Sequence, residues 1–315
     1  MNARRMWTLA LALMLALPGL ALAESALPVP EPGTPLYSNL GDEESLLAVA
    51  DAMKAAGLDE SAVDAVCDWV RDYNRVEANN PVYAIVSGFQ PMTEGYVDYG
   101  DAETYAEFNF QRWKVAKLGY YDVLCRSTAY WLLRDQMRVS ERIPADQWER
   151  NGLLETDFDA LLGPEDDDRV IPNPALADLT EDEIAAYATL FQPISENGED
   201  SAEAVADAMR RLFAERGVQF PQGRAKLVME CYPAEGQLAV RHAAVLIELD
   251  SGCLLFEKYG PDYPYQATLF ASDEEAGASL CDSVAADYDR YGLPAPQSVA
   301  ILANDELIAP QTDPS

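Results

Sequence analysis

The sequence predicts an α+β protein, a helical N-terminal half packed on a C-terminal antiparallel sheet. Two observations carry that reading. Up to about residue 222 the apolar residues recur at three- and four-residue intervals, the period of a helix. After Gly223 the texture changes to runs that read as strands: AKLVMECY, LAVRHAAVLIEL, GCLLFEKY and QATLF. One helix is inserted before a last strand. Helices gathered ahead of strands, instead of alternating with them, are the α+β pattern.

The elements follow in chain order. Residues 1–23 read as an export signal, with Arg4 and Arg5, an apolar run from Met6 to Leu20, and Ala21-Leu22-Ala23 at the cleavage position. The run is short for a membrane span, which needs about 20 residues. No cysteine follows the cleavage position to take a lipid. The protein is therefore expected to be exported, periplasmic or secreted, with no stable membrane anchor. Residues 24–36 form a proline-rich linker. A single domain is expected over 37–308, helical to 222 and sheet from 223, with a polar tail at 309–315.

Within that domain Leu46, Val49, Ala50 and Met53 mark a first helix that Gly57 ends, and Ser61–Tyr73 a second. Residues 80–112 are aromatic and glycine-rich without a period. Cys125, Thr128, Ala129, Leu132 and Leu133 share one face of a helix that Cys125 opens. Thr180 with Glu183 forms a capping box. Ser201–Arg216 is a helix ended by Gly217. Asp250-Ser251-Gly252 reads as a tight hairpin turn. Ser272 with Glu275 caps a helix to about Tyr291, and SVAILAN is the last strand.

Composition excludes several function classes. The chain has 315 residues, net charge −32, five cysteines and one histidine. So acidic a surface repels nucleic acid and anionic membranes and favours a basic or neutral substrate. One histidine and no CxxC make structural zinc improbable. The acidic loops 163–169 and 195–201 lack the ligand alternation of an EF-hand and read as solvated. There is no GxSxG, phosphate-binding loop or dinucleotide fingerprint, and no cofactor or metal is expected. In an oxidising compartment Cys67, Cys231, Cys253 and Cys281 are the thiols that could pair.

Two residues carry candidate chemistry. A thiol at a helix N-terminus, as Cys125 is placed, has a lowered pKa and is more often thiolate; Arg126 adds positive charge beside it. The one imidazole, His242, heads the apolar run HAAVLIEL and has the pKa of a base for such a thiol. The plainer alternatives are a buried apolar cysteine and a strand-edge histidine. A third group should orient the imidazole. Glu257, on the next strand, is the first candidate, with Gln266 and Asn304 as rivals. A two-residue turn pairs Leu246 with Glu257, which leaves Glu257 about 13 Å along the sheet from the level of His242. Tyr265 and Gln266 are candidate pocket residues.

YSNL at 37–40, CR at 125–126, HxxVLI through FEK over 242–258, PYQ at 264–266 and NDELI at 304–308 together resemble the bacterial family described as domain of unknown function 4300. The resemblance runs from about Tyr37 to Ile308. In two places the chain departs from that family: Leu124 stands where an Asn is common, and Arg241 where a Gly is common. More distantly, residues 120–270 are similar to papain-like thiol enzymes, the transglutaminase-like and NlpC-type groups. These also set a cysteine at a helix start, a histidine on a strand and a polar or acidic residue on the next strand. The residues and that likeness lead to the expectation of an exported cysteine-dependent hydrolase or transferase. It would act on a peptide or amide bond, cell-wall peptide being the substrate class. Cys125 would be the nucleophile, His242 the base and Glu257 its orienter. The alternative is a non-catalytic exported binding protein that keeps the fold.

Overall fold

Helix caps organise the N-terminal part of the chain, seen in a computed structural model that describes residues 27–100, 119–150, 152–165, 170–195, 201–260 and 263–310. The expected export signal, residues 24–26 of the linker, most of both acidic loops and the tail from 311 lie outside the described residues. Asp42 accepts from the Ser45 amide at 2.8 Å and starts α1 (Glu43–Ala55). That helix buries Leu46, Val49, Ala50 and Met53, and Gly57 follows it at φ 91°. Asp59 caps α2 (Glu60–Glu77), which outruns the expected Tyr73 because Val70, Tyr73 and Glu77 continue its buried stripe. Next come α3 (Cys125–Leu133), α4 (Glu155–Leu162), α5 (Glu181–Phe191) and α6 (Ala202–Glu215). The Thr180–Glu183 box opens α5, Ser201 caps α6, and Gly217 follows it at φ 59°. All nine residues of α3 are buried, which makes it a central helix with no solvent face. No described helix is long and apolar enough to cross a membrane.

The sheet is nine-stranded and antiparallel. Its strands are β1 (Leu36–Ser38), β2 (Gln90–Pro91), β4 (Ile194–Ser195), β6 (Ala225–Ala234), β7 (Gln237–Glu248), β8 (Cys253–Lys258), β9 (Tyr265–Phe270), β10 (Ala300–Ala303) and β11 (Glu306–Pro310). The order is β11-β10-β6-β7-β8-β9-β1-β2, with β4 also on β7. A separate pair joins β3 (Arg138–Val139) to β5 (Val218–Gln219). Both faces of the sheet are covered, as expected from the unbroken apolar runs. Leu227, Met229, Ala243, Val245, Leu254, Phe256 and Leu269 face the larger core with α1–α6. Val228, Ala244, Leu246, Leu255, Phe270 and Ile301 face α7 (Asp273–Arg290). This is the α+β arrangement the sequence predicts: of seven described α-helices, six precede the large strands.

Four expectations need correction. First, the β7–β8 connection is not a two-residue turn. Glu248 pairs with Cys253 across a four-residue turn, Leu249–Gly252, in which Gly252 takes φ 82°. A Cβ there would collide with the Phe270 carbonyl oxygen. Leu246 therefore pairs with Leu255, and Glu257 moves two positions nearer to His242. Second, His242 is not at a strand mouth. It lies within β7, next to a bulge where Glu230 pairs with His242 and Cys231 with Val240, leaving Arg241 as the extra residue. Third, Asn304 has no part in orienting the imidazole. At φ 57° it turns β10 into β11; its side chain accepts from Leu227 N at 2.9 Å and donates to Pro221 O at 3.1 Å. Fourth, the four cysteines proposed to pair are all free. Cys231 belongs to the larger core and Cys253 to the α7 side, so the sheet separates them.

The Asn304 turn gives a direct check on its structural role. Asn304→Ala removes both hydrogen bonds and the favoured left-handed residue. It should lower unfolding free energy by about 2–4 kcal/mol in urea titration, while leaving the pH dependence of Cys125 alkylation unchanged.

Candidate functional site

The start of α3 is held from two sides by buried ion pairs. Arg126, 4 % exposed, pairs with Asp157 on α4, itself fully buried. Its remaining donors reach Leu153 O at 3.1 Å, Arg241 O at 2.8 Å and Val240 O at 3.4 Å. Tyr187 donates to the same Asp157 carboxylate. On the other side Asp122 pairs at 2.8 Å with Lys258, fully buried on β8 over the rings of Tyr73 and Tyr265. Lys258 is thus a partner of Asp122.

Arg126 can reach those carbonyls because β7 and β8 part. Their ladder ends at Val245–Phe256. Beyond it β7 keeps only β6 and β4, while β8 keeps β9 to the Lys258–Tyr265 pair. Into this opening α3 brings its first residue. Leu124, the N-cap, is extended and offers no side-chain cap; Ser127 Oγ accepts from its amide at 2.8 Å. The N–H of Cys125 stays in the unpaired first turn of the helix.

His242 and Glu257 alternate onto the α7 side of their strands and meet diagonally across the opening. His242 Nε2 and Glu257 Oε2 are 2.8 Å apart, both side chains 7 % exposed. The Tyr259 ring lies 5.2 Å from the imidazole. Gln266 donates to Glu257 Oε1 at 3.3 Å and to Thr268 at 2.9 Å. Its own carbonyl accepts from Tyr99 at 2.5 Å, and the Tyr99 hydroxyl accepts from Asn39 at 2.6 Å. Asn39 also donates to the Tyr265 carbonyl at 3.0 Å. The imidazole and the Cys125 thiol are coupled through charge, each favouring the ionised form of the other. A buried chain of hydrogen bonds thus runs from Asn39 through Tyr99, Gln266 and Glu257 to His242.

Electrostatics single out one of the five thiols. Burial pushes Cys67 up to about 11 and Cys281 to about 12, and drives Cys231 and Cys253 further still. Cys125 is also buried, which opposes ionisation, yet its pKa is lowered, because Arg126 and His242 favour the thiolate. Burial likewise disfavours a charged His242, but the Cys125 thiolate, Glu230 when it is ionised, and the Cys125 and Glu257 hydrogen-bonding groups raise it well above the usual imidazole value. The pair therefore favours thiolate with imidazolium. With Nε2 engaged by Glu257, Nδ1 is the nitrogen left to exchange a proton with the thiol.

Of the sequence-predicted residues, Cys125, Arg126, His242, Glu257 and Gln266 come together. Gln266 orients Glu257 instead of the imidazole. Tyr265 is not among the residues that line the cavity beside Glu257; it is fully buried on the opposite face, 6.0 Å from Tyr73 and stacked 6.0 Å from Phe256. Arg241 does not crowd His242: its guanidinium turns back to Ala234 O at 2.7 Å and Gln237 O at 3.2 Å. Sequence reasoning missed Asn39, Tyr99, Asp157, Glu230 and Tyr259. Glu230 had a signal, as the one charge within LVMECY; Asn39 lies in the YSNL motif. A cavity beside Glu257 and Gln266 is lined by Tyr96, Tyr99, Tyr259, Tyr263, Asp287 and Arg290, among others. Among the described residues no group of three His, Cys, Asp or Glu is placed to hold a metal.

Fold and site together define an α+β protein whose antiparallel sheet opens to admit a helix-start cysteine beside a histidine–glutamate pair. Residues 36–308 match the family described as Domain of unknown function (DUF4300), and the chain belongs to that family. No curated protein and no solved structure matches it.

Two substitutions check this site. Asp157→Asn leaves the buried Arg126 guanidinium without its counter-charge and should cost about 3–5 kcal/mol in urea unfolding. Glu257→Gln removes the carboxylate that favours imidazolium, so His242 falls and the thiolate loses its counter-ion. The midpoint of Cys125 alkylation against pH should then rise, by about one unit.

Proposed function

We propose that the protein is an exported cysteine-dependent hydrolase or transferase acting on a peptide or amide bond, with exported or cell-wall peptide as the substrate class. One observation carries the reading. The one imidazole is buried and hydrogen-bonded to Glu257, and its charge with that of Arg126 favours Cys125, alone among the five cysteines, as thiolate. The likeness to papain-like enzymes in residue order supports it: cysteine on a helix start, histidine on one strand, carboxylate on the next.

In the reaction, the Cys125 thiolate attacks the amide carbonyl carbon and forms the C–S bond. The resulting oxyanion lies where the Cys125 backbone N–H and the helix N-terminus stabilise negative charge. Collapse breaks the C–N bond, and His242 gives its proton to the departing amine. Water, or a second amine, then transfers a proton to the neutral imidazole as it attacks the thioester. Cys125 leaves as thiolate. Glu257 keeps the ring oriented throughout, and Gln266 fixes Glu257 in turn. Arg126 acts through position and charge, drawing the helix start to β7.

The pH dependence follows from the two shifts. The thiolate–imidazolium pair exists above the lowered thiol value and below the raised imidazole value. Turnover should therefore be bell-shaped, falling on the acid side as Cys125 is protonated and on the alkaline side as His242 loses its proton.

One observation favours a second reading, a non-catalytic binding protein. Cys125 and His242 are each 5 % exposed, and neither lines the cavity beside Glu257. Alkylation by a small neutral reagent decides between them. For the enzyme, labelling of Cys125 titrates below the ordinary thiol value of about 8.5, and His242→Ala moves that midpoint up. Cys125→Ala abolishes the fast label and any amide turnover. A slow Cys125, indifferent to His242, hands the protein to the binding reading.

A further inference from the structure

Glu230 is a buried carboxyl that the reaction above does not use. It stands on β6 as the cross-strand partner of His242 and is 3 % exposed. Strand alternation turns it to the α7 side, the side of His242 and Glu257. One of its oxygens, Oε1, is buried and has no hydrogen-bond partner among the described residues. The groups around it come from every neighbouring element. His242 faces it from β7 and Glu257 from β8, with Tyr259 just beyond; Cys125 approaches from α3, and Asp287 and Cys281 from α7. Tyr232 is its neighbour on its own strand, and β10 presents the apolar Ile301.

An ionised Glu230 would set a third negative charge, beside the Cys125 thiolate and Glu257, around one imidazolium. It would do so in a buried site with an unpartnered oxygen, where a lone charge is costly. We propose that Glu230 is a positioning residue held as a neutral acid, and that His242 and its thiol partner sense the loss of that proton as a switch of their charge balance. This rests on reading Cys125 and His242 as a working pair. Burial first, with the nearby charges of Glu257, Asp287 and Cys125 added to it, overcomes the opposing charge of His242 and pushes the Glu230 carboxyl up to about 8. Below that pH the site holds a single thiolate–imidazolium pair. Above it the new carboxylate competes with the thiolate for the imidazolium, and the thiol is less favoured as anion.

The single histidine makes the test direct, because a chain labelled with nitrogen-15 histidine gives one imidazole signal set. It is titrated by NMR between about pH 5 and 10 in the parent, in Glu230→Gln and in Cys125→Ala. In the parent the His242 signals should inflect near pH 8, where Glu230 ionises. Glu230→Gln should remove that inflection, and Cys125→Ala should keep one from Glu230 while abolishing the contribution of the thiol. A folded Glu230→Gln protein whose His242 curve matches the parent overturns the proposal. Where Glu230→Gln does not fold, the parent labelled with carbon-13 glutamate decides. One carboxyl titrating near 8 supports the proposal, and all of them titrating in the ordinary range near 4.3 overturns it. Neither readout requires turnover, so an inert Cys125 would sink the enzyme reading separately.

Discussion

The site depends on one guanidinium. Arg126 follows the thiol in sequence, so whatever holds Arg126 holds the start of α3. Its charge is met by Asp157, and two of its donors are spent on the backbone of β7, one and two residues before the histidine. A lysine could match the charge but not the geometry, since it lacks the flat fork that serves a carboxylate and carbonyls at once. Lys258 and Asp122 repeat the arrangement on the β8 side. Each clamp uses a residue adjacent or nearly adjacent in sequence to a member of the thiol–imidazole–carboxylate set. Backbone continuity therefore transmits the placement directly, with little slack for a rotamer to absorb.

The same environment explains why five cysteines differ. Burial alone makes a thiol a poor acid, and four follow that rule. Cys125 escapes it because two positive groups and a helix start converge on it inside the protein, where screening by water is weak. The compensating charges are fully used: Arg126 answers Asp157 as well as the thiol, and His242 answers Glu257 as well as the thiol. Such a balance is sensitive to any further charge in its neighbourhood, which is why the protonation of Glu230 matters.

Much of this was legible in the sequence. The α+β order, the caps at Thr180 and Ser272, and the Cys125–His242–Glu257 candidates follow from period, capping chemistry and residue type. What was not legible is set by tertiary pairing. A four-residue turn in place of a two-residue one shifted the β7–β8 register and closed a gap that had left Glu257 out of reach. The bulge at Arg241 and the parting of β7 from β8 have no local signal at all. The short strand β1 pairs only with strands far from it in sequence, β2 and β9. Asn304 was misassigned because a left-handed turn residue and a site residue look alike in one dimension. Glu230 was visible as a lone charge in an apolar strand, but only strand pairing says that it opposes the histidine.

The hydrogen bond from Asn39 to the Tyr265 carbonyl spans 226 positions of the chain, and it ends the series that steadies Glu257. Residues from the beginning and the end of the domain therefore have to meet before the imidazole is set. During synthesis the thiol emerges long before its histidine, and the histidine before the last strands that complete the sheet. An incomplete chain carries an ordinary, protonated cysteine. The charges that favour the Cys125 thiolate come together only in the finished fold, so the acidity of that thiol is a property of the whole domain.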